Sequence, residues 1–381
     1  MGRNTKTEHN RNQTLDIFRA FALCMMASIH FLRGFINDYQ GTWEGGLRYI
    51  LESAPVFFFI AFGMTALHSV SGPRKWRRLL ELGIISLLHQ GYLMEITPFK
   101  FDFLLFLWFM YVVIFIFRRL FLNGFFRFVL LAGILITNLL IRHEKFGTFG
   151  GHPFGPMPWA FCVIVGMTLG LETQTEKQKI RLAIIGIALI VCAYLIRMLA
   201  PNLGLTPISF EFSKWKPTTS TYLLLWNGIA ICVYCLFGYM RLPKSSIFVK
   251  FIRTLSVYLL QGTVFHYLTN SAAIKIFFQG GYSTDVVLPL PILIAAILAV
   301  SLAIYIAISI AFDLRLIVIS YLISDRNLYR LGWIIAILIS IVVIVLSIMN
   351  RSSALLWVLS MIGMLIAAFA FMNTEKFQSL L

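Results

Sequence analysis

The sequence predicts an all-α, polytopic integral membrane protein, and three observations carry that prediction. Charged residues make up 13% of the 381 positions, against about 25% in an ordinary soluble domain. Apolar runs close to the roughly 20 residues needed to cross a bilayer core recur along the whole chain. The basic residues gather in alternate loops, as the positive-inside rule requires. Thirty-five Phe and eight Trp fit the same solvent, since aromatic rings favour the membrane interfaces. The net charge of +16 therefore reads as topology, and no nucleic-acid-binding motif argues otherwise.

Residues 1–14 form a polar tail without the apolar stretch of a signal peptide. Lys6 stands where an N-myristoylation site needs Ser or Thr, so the tail is expected in the cytoplasm. Twelve spans follow, at about 15–35, 49–70, 79–96, 102–118, 125–142, 157–172, 181–200, 219–240, 251–270, 287–312, 331–349 and 353–372. They are too long and too unalternating for barrel strands, and an open sheet cannot sit in lipid, so each is expected to be a helix. The loops GPRKWRR, FRRLFLNGFFR, EKQKIR, RLPKSSIFVKFIR and DLRL…SDRNLYR lie on one side with both tails, and with Arg19 that side holds 22 of the 32 basic residues. Both termini are accordingly expected to be cytoplasmic. The chain divides into a ten-helix core at 15–312, a cytoplasmic amphipathic link at 313–330, a helix pair at 331–372 and a tail at 373–381. No internal repeat or inverted symmetry is visible.

Cys24, Cys162, Cys192, Cys232 and Cys235 all fall within apolar runs. They are expected to be buried, unpaired thiols, the CxxC at 232–235 included.

The stretch LDIFRAFALCMMASIH, residues 15–30, threads Asp16, Arg19 and His30 through hydrocarbon-like sequence. Ionisable groups within a span are costly and mark sites or pathways. Residues eleven apart differ by three helical turns plus about 20°, so Arg19 and His30 share a face, roughly 16 Å apart along the axis. Asp16 lies one turn before Arg19, within pairing reach. Arg suits a phosphate near the headgroups, and His suits proton transfer or covalent acyl transfer deeper in. Snorkelling of Arg19, helix capping by Asp16 and helix packing by His30 stand as the structural alternatives.

Other groups divide in the same way. Arg74, Lys75, Arg77 and Arg78 form a basic loop that fits either topology or a donor's phosphates. Glu52 is expected to pair with Arg33 or Arg48, or else to position an acceptor. His152 in GGHPFGP, and Lys214 and Lys216 in SKWKP, belong to long outer loops, where Trp159 and Trp215 could stack on a sugar or anchor the interface. His68, His89, Asn138 and Asn227 read as contacts between helices. Gly166 and Gly170 read as a close-packing pair. His89, Glu81 and Glu95 do not converge in the manner of a metal site, and no metal is expected.

The run D16-x-x-R19-x10-H30 resembles the R-x10-H signature of the acyltransferase-three membrane enzymes. HFLRGF, ESAPVFFFIAFGMTAL, FGPMPWAFCVIVGMTLG and FSKWKPTTSTYLLLWNGI look more like the heparan-α-glucosaminide N-acetyltransferase family and its bacterial relatives. TLSVYLLQGTVF is similar to a helix common to both groups, with Gln261 where a His is frequent. The resemblance runs from about residue 11 to 270. It implies transfer of an acyl group, acetyl by preference, from cytosolic acyl-CoA to an extracytoplasmic acceptor, typically a glycan, in a bacterial inner membrane. It also implies donor contacts from Arg74 and Arg77, beside Arg19, Lys75 and Arg78 as basic neighbours, with His30 as base or acyl carrier and Asp16 orienting Arg19. The expected partners are the bilayer, acyl-CoA, the acceptor and, in some form, a second copy of the chain. A transporter or flippase for a glycan or lipid-linked intermediate is the alternative, although the symmetry such carriers use is missing.

Overall fold

In the computed structural model, the residues described are 12–32, 43–72, 74–92, 102–140, 156–171, 175–199, 219–240, 247–267, 289–349 and 353–372. Among them all regular structure is helical. The helices are α1 (Gln13–Leu32), α2 (Trp43–Glu52), α3 (Ala54–Ser71), α4 (Lys75–Tyr92), α5 (Phe103–Ile116), α6 (Arg118–Leu122) and α7 (Gly124–Leu140). They continue with α8 (Pro156–Leu171), α9 (Glu176–Leu199), α10 (Ser220–Phe237) and α11 (Ile247–Val257). Then come α12 (Leu259–Tyr267) and α13 (Leu290–Tyr321), α14 (Asp325–Ile348) and α15 (Ser353–Ala370). Among the described residues, six helices are long and apolar enough to cross a membrane, or seven if the bent pair α11–α12 counts as one span. Four shorter apolar helices, Phe103–Ile116, Gly124–Leu139, Pro156–Leu171 and Leu355–Ala370, accompany them. The chain is a membrane protein with several helices of spanning length.

Side chains at the helix ends explain several starts. Asn12 accepts the Leu15 amide at 3.1 Å, Asp102 accepts that of Leu105 at 2.6 Å, and Thr219 accepts that of Tyr222 at 3.0 Å. Each satisfies an amide that the first helical turn leaves without an intrahelical partner.

Burial separates interior from peripheral helices. The spans Gln13–Phe31, Gly46–Ser71 and Ser220–Phe237 are 61–72% buried within the protein, whereas Glu176–Leu199, Ile294–Tyr321 and Asp325–Ser347 are 17–28% buried. The peripheral helices present Ile and Leu outward, the composition a lipid face needs. Cys192 lies on such a face and is exposed, unlike buried Cys162 and Cys235; all five cysteines are free thiols.

The interior depends on close backbone approach. A Cβ at Gly166 or Gly170 would overlap the α3 backbone at Ile60 or Met64, and one at Gly63 would overlap Val163. α3 and α8 are therefore held together by small residues rather than interdigitating side chains. α9 and α10 cross in the same way at Gly186 and Gly228.

The stretch 313–330 comprises the end of α13, a three-residue break and the start of α14. Buried Arg315 makes this tolerable, since it donates to the carbonyls of Phe369 (2.5 Å) and Ala370 (2.8 Å) and pairs with Asp325 at 2.6 Å. The span expected at about 251–270 falls on the pair α11–α12, which is bent by 84°. The pair α14–α15 packs directly against α4, where a Cβ on Gly91 would overlap Ser360 and Val343.

Gly166→Ala is expected to destabilise the protein by about 1–3 kcal/mol, the cost of overpacking a filled contact. Gly133→Ala, where a Cβ would meet nothing within 4 Å, is expected to leave stability unchanged or slightly raised. Thermal unfolding in detergent compares the two.

Candidate functional site

Contacts among α1, α4 and the α11–α12 pair gather their polar residues into two groups, at opposite ends of α1. Asp16, Arg19, Arg77, Arg78 and Ser256 lie at the first, basic end. His30, His89 and His266 lie at the other.

At the basic end a cavity of about 740 Å³ opens between the start of α1, the end of α3, the start of α4, the end of α5 and the α11–α12 bend. Asp16, Arg19, Arg74, Arg77, Arg78 and Glu81 line it, with His68 and Ser69 near the rim. Four guanidinium groups thus face two carboxylates among the described lining residues. Its inner wall is apolar, formed by Phe58, Phe62, Leu107, Leu259, Leu260 and Phe371.

Local periodicity places the arginines. Positions 74, 77, 78 and 81 follow the i, i+3, i+4, i+7 rule and share a face of α4. Arg77 donates to Glu81 Oε1 at 2.7 Å, and its guanidinium lies 3.9 Å from the Tyr329 ring centroid. Tyr329 also donates to Glu81 Oε1 at 3.2 Å, so α14 braces this part of the wall. Arg78 donates to Ser69 Oγ at 2.6 Å, and Ser69 Oγ lies 3.2 Å from Tyr111 Oη. Lys75 leaves the group. It falls on another face of α4, with its ammonium 5.6 Å from the Phe115 ring centroid.

Asp16 is 6% exposed and accepts a hydrogen bond from the Ser256 hydroxyl at 2.6 Å. The sequence offered it as a partner for Arg19; its bond to Ser256 ties α1 to the end of α11, just before the bend.

His30 lies beyond the described lining of this cavity. Its Nδ1 is 2.8 Å from His266 Nε2, and the two rings meet edge to edge, with centroids 5.0 Å apart and planes 12° from parallel. Tyr267 contacts three imidazoles, with ring centroids 5.5 Å from His30, 4.1 Å from His266 and 4.4 Å from His89. The far side of His89 is hydrogen-bonded through Nδ1 to the Asp102 carboxylate, both residues being 2% exposed. Asp102 thus caps α5 and holds His89 at once.

The sequence carries no signal for His266, Tyr267 or Asp102, whereas His89 makes the contact between helices that its position suggests, from α4 to the start of α5. His266 follows Gln261 by five positions in QGTVFH, but only the bend of the helix aims it at α1. Glu52 pairs with Arg48 Nε at 3.0 Å, one of the two partners expected. Asn138 donates to Ser220 Oγ at 3.1 Å and Asn227 to the Leu223 carbonyl at 2.8 Å. His152, Lys214 and Lys216 lie outside the described residues.

A second cavity, about 550 Å³, lies among α12–α15 and is lined by residues such as Ala307, Leu314, Leu331 and Phe369. No ionisable residue contributes to its described lining. Among the described residues no three His, Cys, Asp or Glu side chains converge as a metal ion would need.

Compared with known proteins, the chain matches no protein-family model, no curated protein and no solved structure.

The Arg48–Glu52 pair is expected to behave as a structural unit. Arg48→Glu or Glu52→Arg alone lowers the thermal midpoint by several degrees, and the exchanged pair recovers most of that loss. Unfolding scans of the three variants check it.

Proposed function

We propose that the chain is a twelve-span membrane acyltransferase with both termini in the cytoplasm, in the plasma membrane of a bacterium. It takes an acyl group, acetyl by preference, from cytosolic acyl-CoA and delivers it to an extracytoplasmic acceptor such as a glycan. The observation that carries this reading is the form of the basic-end cavity: arginines at its mouth and an apolar inner wall, on a helix whose other end carries His30. An anionic nucleotide with an extended acyl arm has that same polarity. Guanidinium groups hold phosphates by charge-assisted, often bidentate hydrogen bonds, and an apolar passage excludes water from a thioester. The roughly 16 Å between Arg19 and His30 along α1 matches a pantetheine-length arm.

In this mechanism Arg19, Arg74 and Arg78 hold the donor's phosphates, with Arg77 fixed behind them by Glu81 and Tyr329. His30 takes the proton of the acceptor's hydroxyl or amine as it attacks the thioester carbonyl. The C–S bond breaks, and the CoA thiolate recovers a proton to leave as the free thiol.

Purified protein in detergent is expected to bind CoA saturably and to consume acetyl-CoA when an acceptor is supplied. Arg74→Ala and Arg78→Ala are each expected to weaken CoA binding about 10- to 100-fold, the worth of one hydrogen bond to a charged group. Lys75→Ala, pointed at Phe115, changes it less than about twofold, within the range of surface charges. Glycan movement across a vesicle membrane with no thioester consumed would instead establish a transporter.

A further inference from the structure

The proposed reaction needs one proton removed from the acceptor and one returned to the departing thiolate. A lone imidazole does both only if its second nitrogen is held in the right tautomer. For His30 Nε2 to accept a proton, its Nδ1 must already carry one. That Nδ1–H then points at His266 Nε2, 2.8 Å away.

His266 is unlike an ordinary packing histidine. It is fully buried, whereas His30 is partly exposed. It lies near the end of α12, eight residues past the break at Tyr258, in a shell that contains Tyr267, His89 and Asp102. Those groups come from α12, α4 and the start of α5. The two imidazoles, edge to edge through Nδ1 and Nε2, are too close to carry two positive charges in a low-dielectric interior, where like charges repel strongly. They can readily share a single proton.

We infer that His266 is a positioning and proton-sharing residue, and that the base of this enzyme is the His30–His266 pair rather than His30 alone, with the Asp102–His89 couple holding Tyr267 against it. The inference rests on the acyl-transfer reading above. In the step, the acceptor's proton passes to His30 Nε2 as its oxygen or nitrogen bonds to the acyl carbon, and the Nδ1 proton of His30 shifts to His266 Nε2. When the C–S bond has broken, the proton on His30 Nε2 passes to the thiolate and the shared proton returns to His30 Nδ1. No proton is gained or lost overall. The pair's inability to hold a second charge favours that return.

The test compares His266→Gln with the unsubstituted protein. A Gln amide can occupy the Nε2 position and keep a hydrogen bond to His30, but it cannot share a proton. The inference expects kcat for acetyl transfer to fall about 100-fold or more, within the range that acid–base groups supply, with KM for acetyl-CoA and CoA affinity unchanged. Wild-type kcat in His266→Gln would overturn it and leave His266 a packing residue. Should that variant not fold, the unsubstituted protein still decides: kcat across mixtures of H2O and D2O bows downward when two protons move together and is straight when one does. A straight line overturns the pair. Unsubstituted protein that consumes no acyl-CoA and binds no CoA fails the acyltransferase reading itself, a result distinct from either.

Discussion

Charge is expensive in hydrocarbon, and the architecture of this chain is arranged around that expense. An ionisable group in a span has to be paired, hydrogen-bonded or led to water. Several charged and imidazole groups of the interior helices obey this in two clusters joined by α1, and Arg48 and Glu52 obey it by pairing with each other. At one end Asp16 is bonded to Ser256, and the arginines of α4 surround a cavity. At the other, His30 leans on His266 and His89 on Asp102. Between them the same helix buries Phe18, Ala22, Leu23 and Ala27. A buried apolar stretch of one helix thus separates two polar clusters.

The α11–α12 bend makes both clusters possible. Ser256 precedes it and reaches the start of α1; His266 follows it and reaches the end. A straight helix through 251–270 would present these residues along one rigid axis. The 84° turn instead lets two short segments meet α1 at separate heights, with Gln261 left facing the cavity. The C-terminal helix pair belongs to the same construction. Tyr329 braces Arg77 and Glu81, Phe371 contributes to the cavity wall, and Arg315 joins α13 to the end of α15.

How much of this could be read in the sequence depended on range. Local periodicity was legible: each of the twelve expected windows contains helix, and the shared face of Arg74, Arg77 and Arg78 follows from spacing alone. So were the tight packing at Gly166 and Gly170 and the Arg48–Glu52 pair, both fixed by contacts within a turn or by residue size. Three features were not legible because they arise from tertiary position. Lys75 looked like its basic neighbours until α4 rotated it toward Phe115. The end of α13 looked amphipathic because Arg315 reads as a surface residue, although the carbonyls of Phe369 and Ala370 take it inward. His266, 236 positions from His30, carried no pattern linking the two, since their meeting requires a helix bend that no single residue announces.

The central claim is that donor phosphates sit among Arg19, Arg74 and Arg78 while the acyl end reaches His30. Photoaffinity labelling with an acyl-CoA bearing a diazirine at the end of its acyl chain tests this most directly. The account predicts cross-links within α1 near His30 and within Leu259–Tyr267, suppressed by excess CoA. Cross-links confined to the lipid-facing helices α9 and α14, or labelling that CoA does not displace, would contradict it.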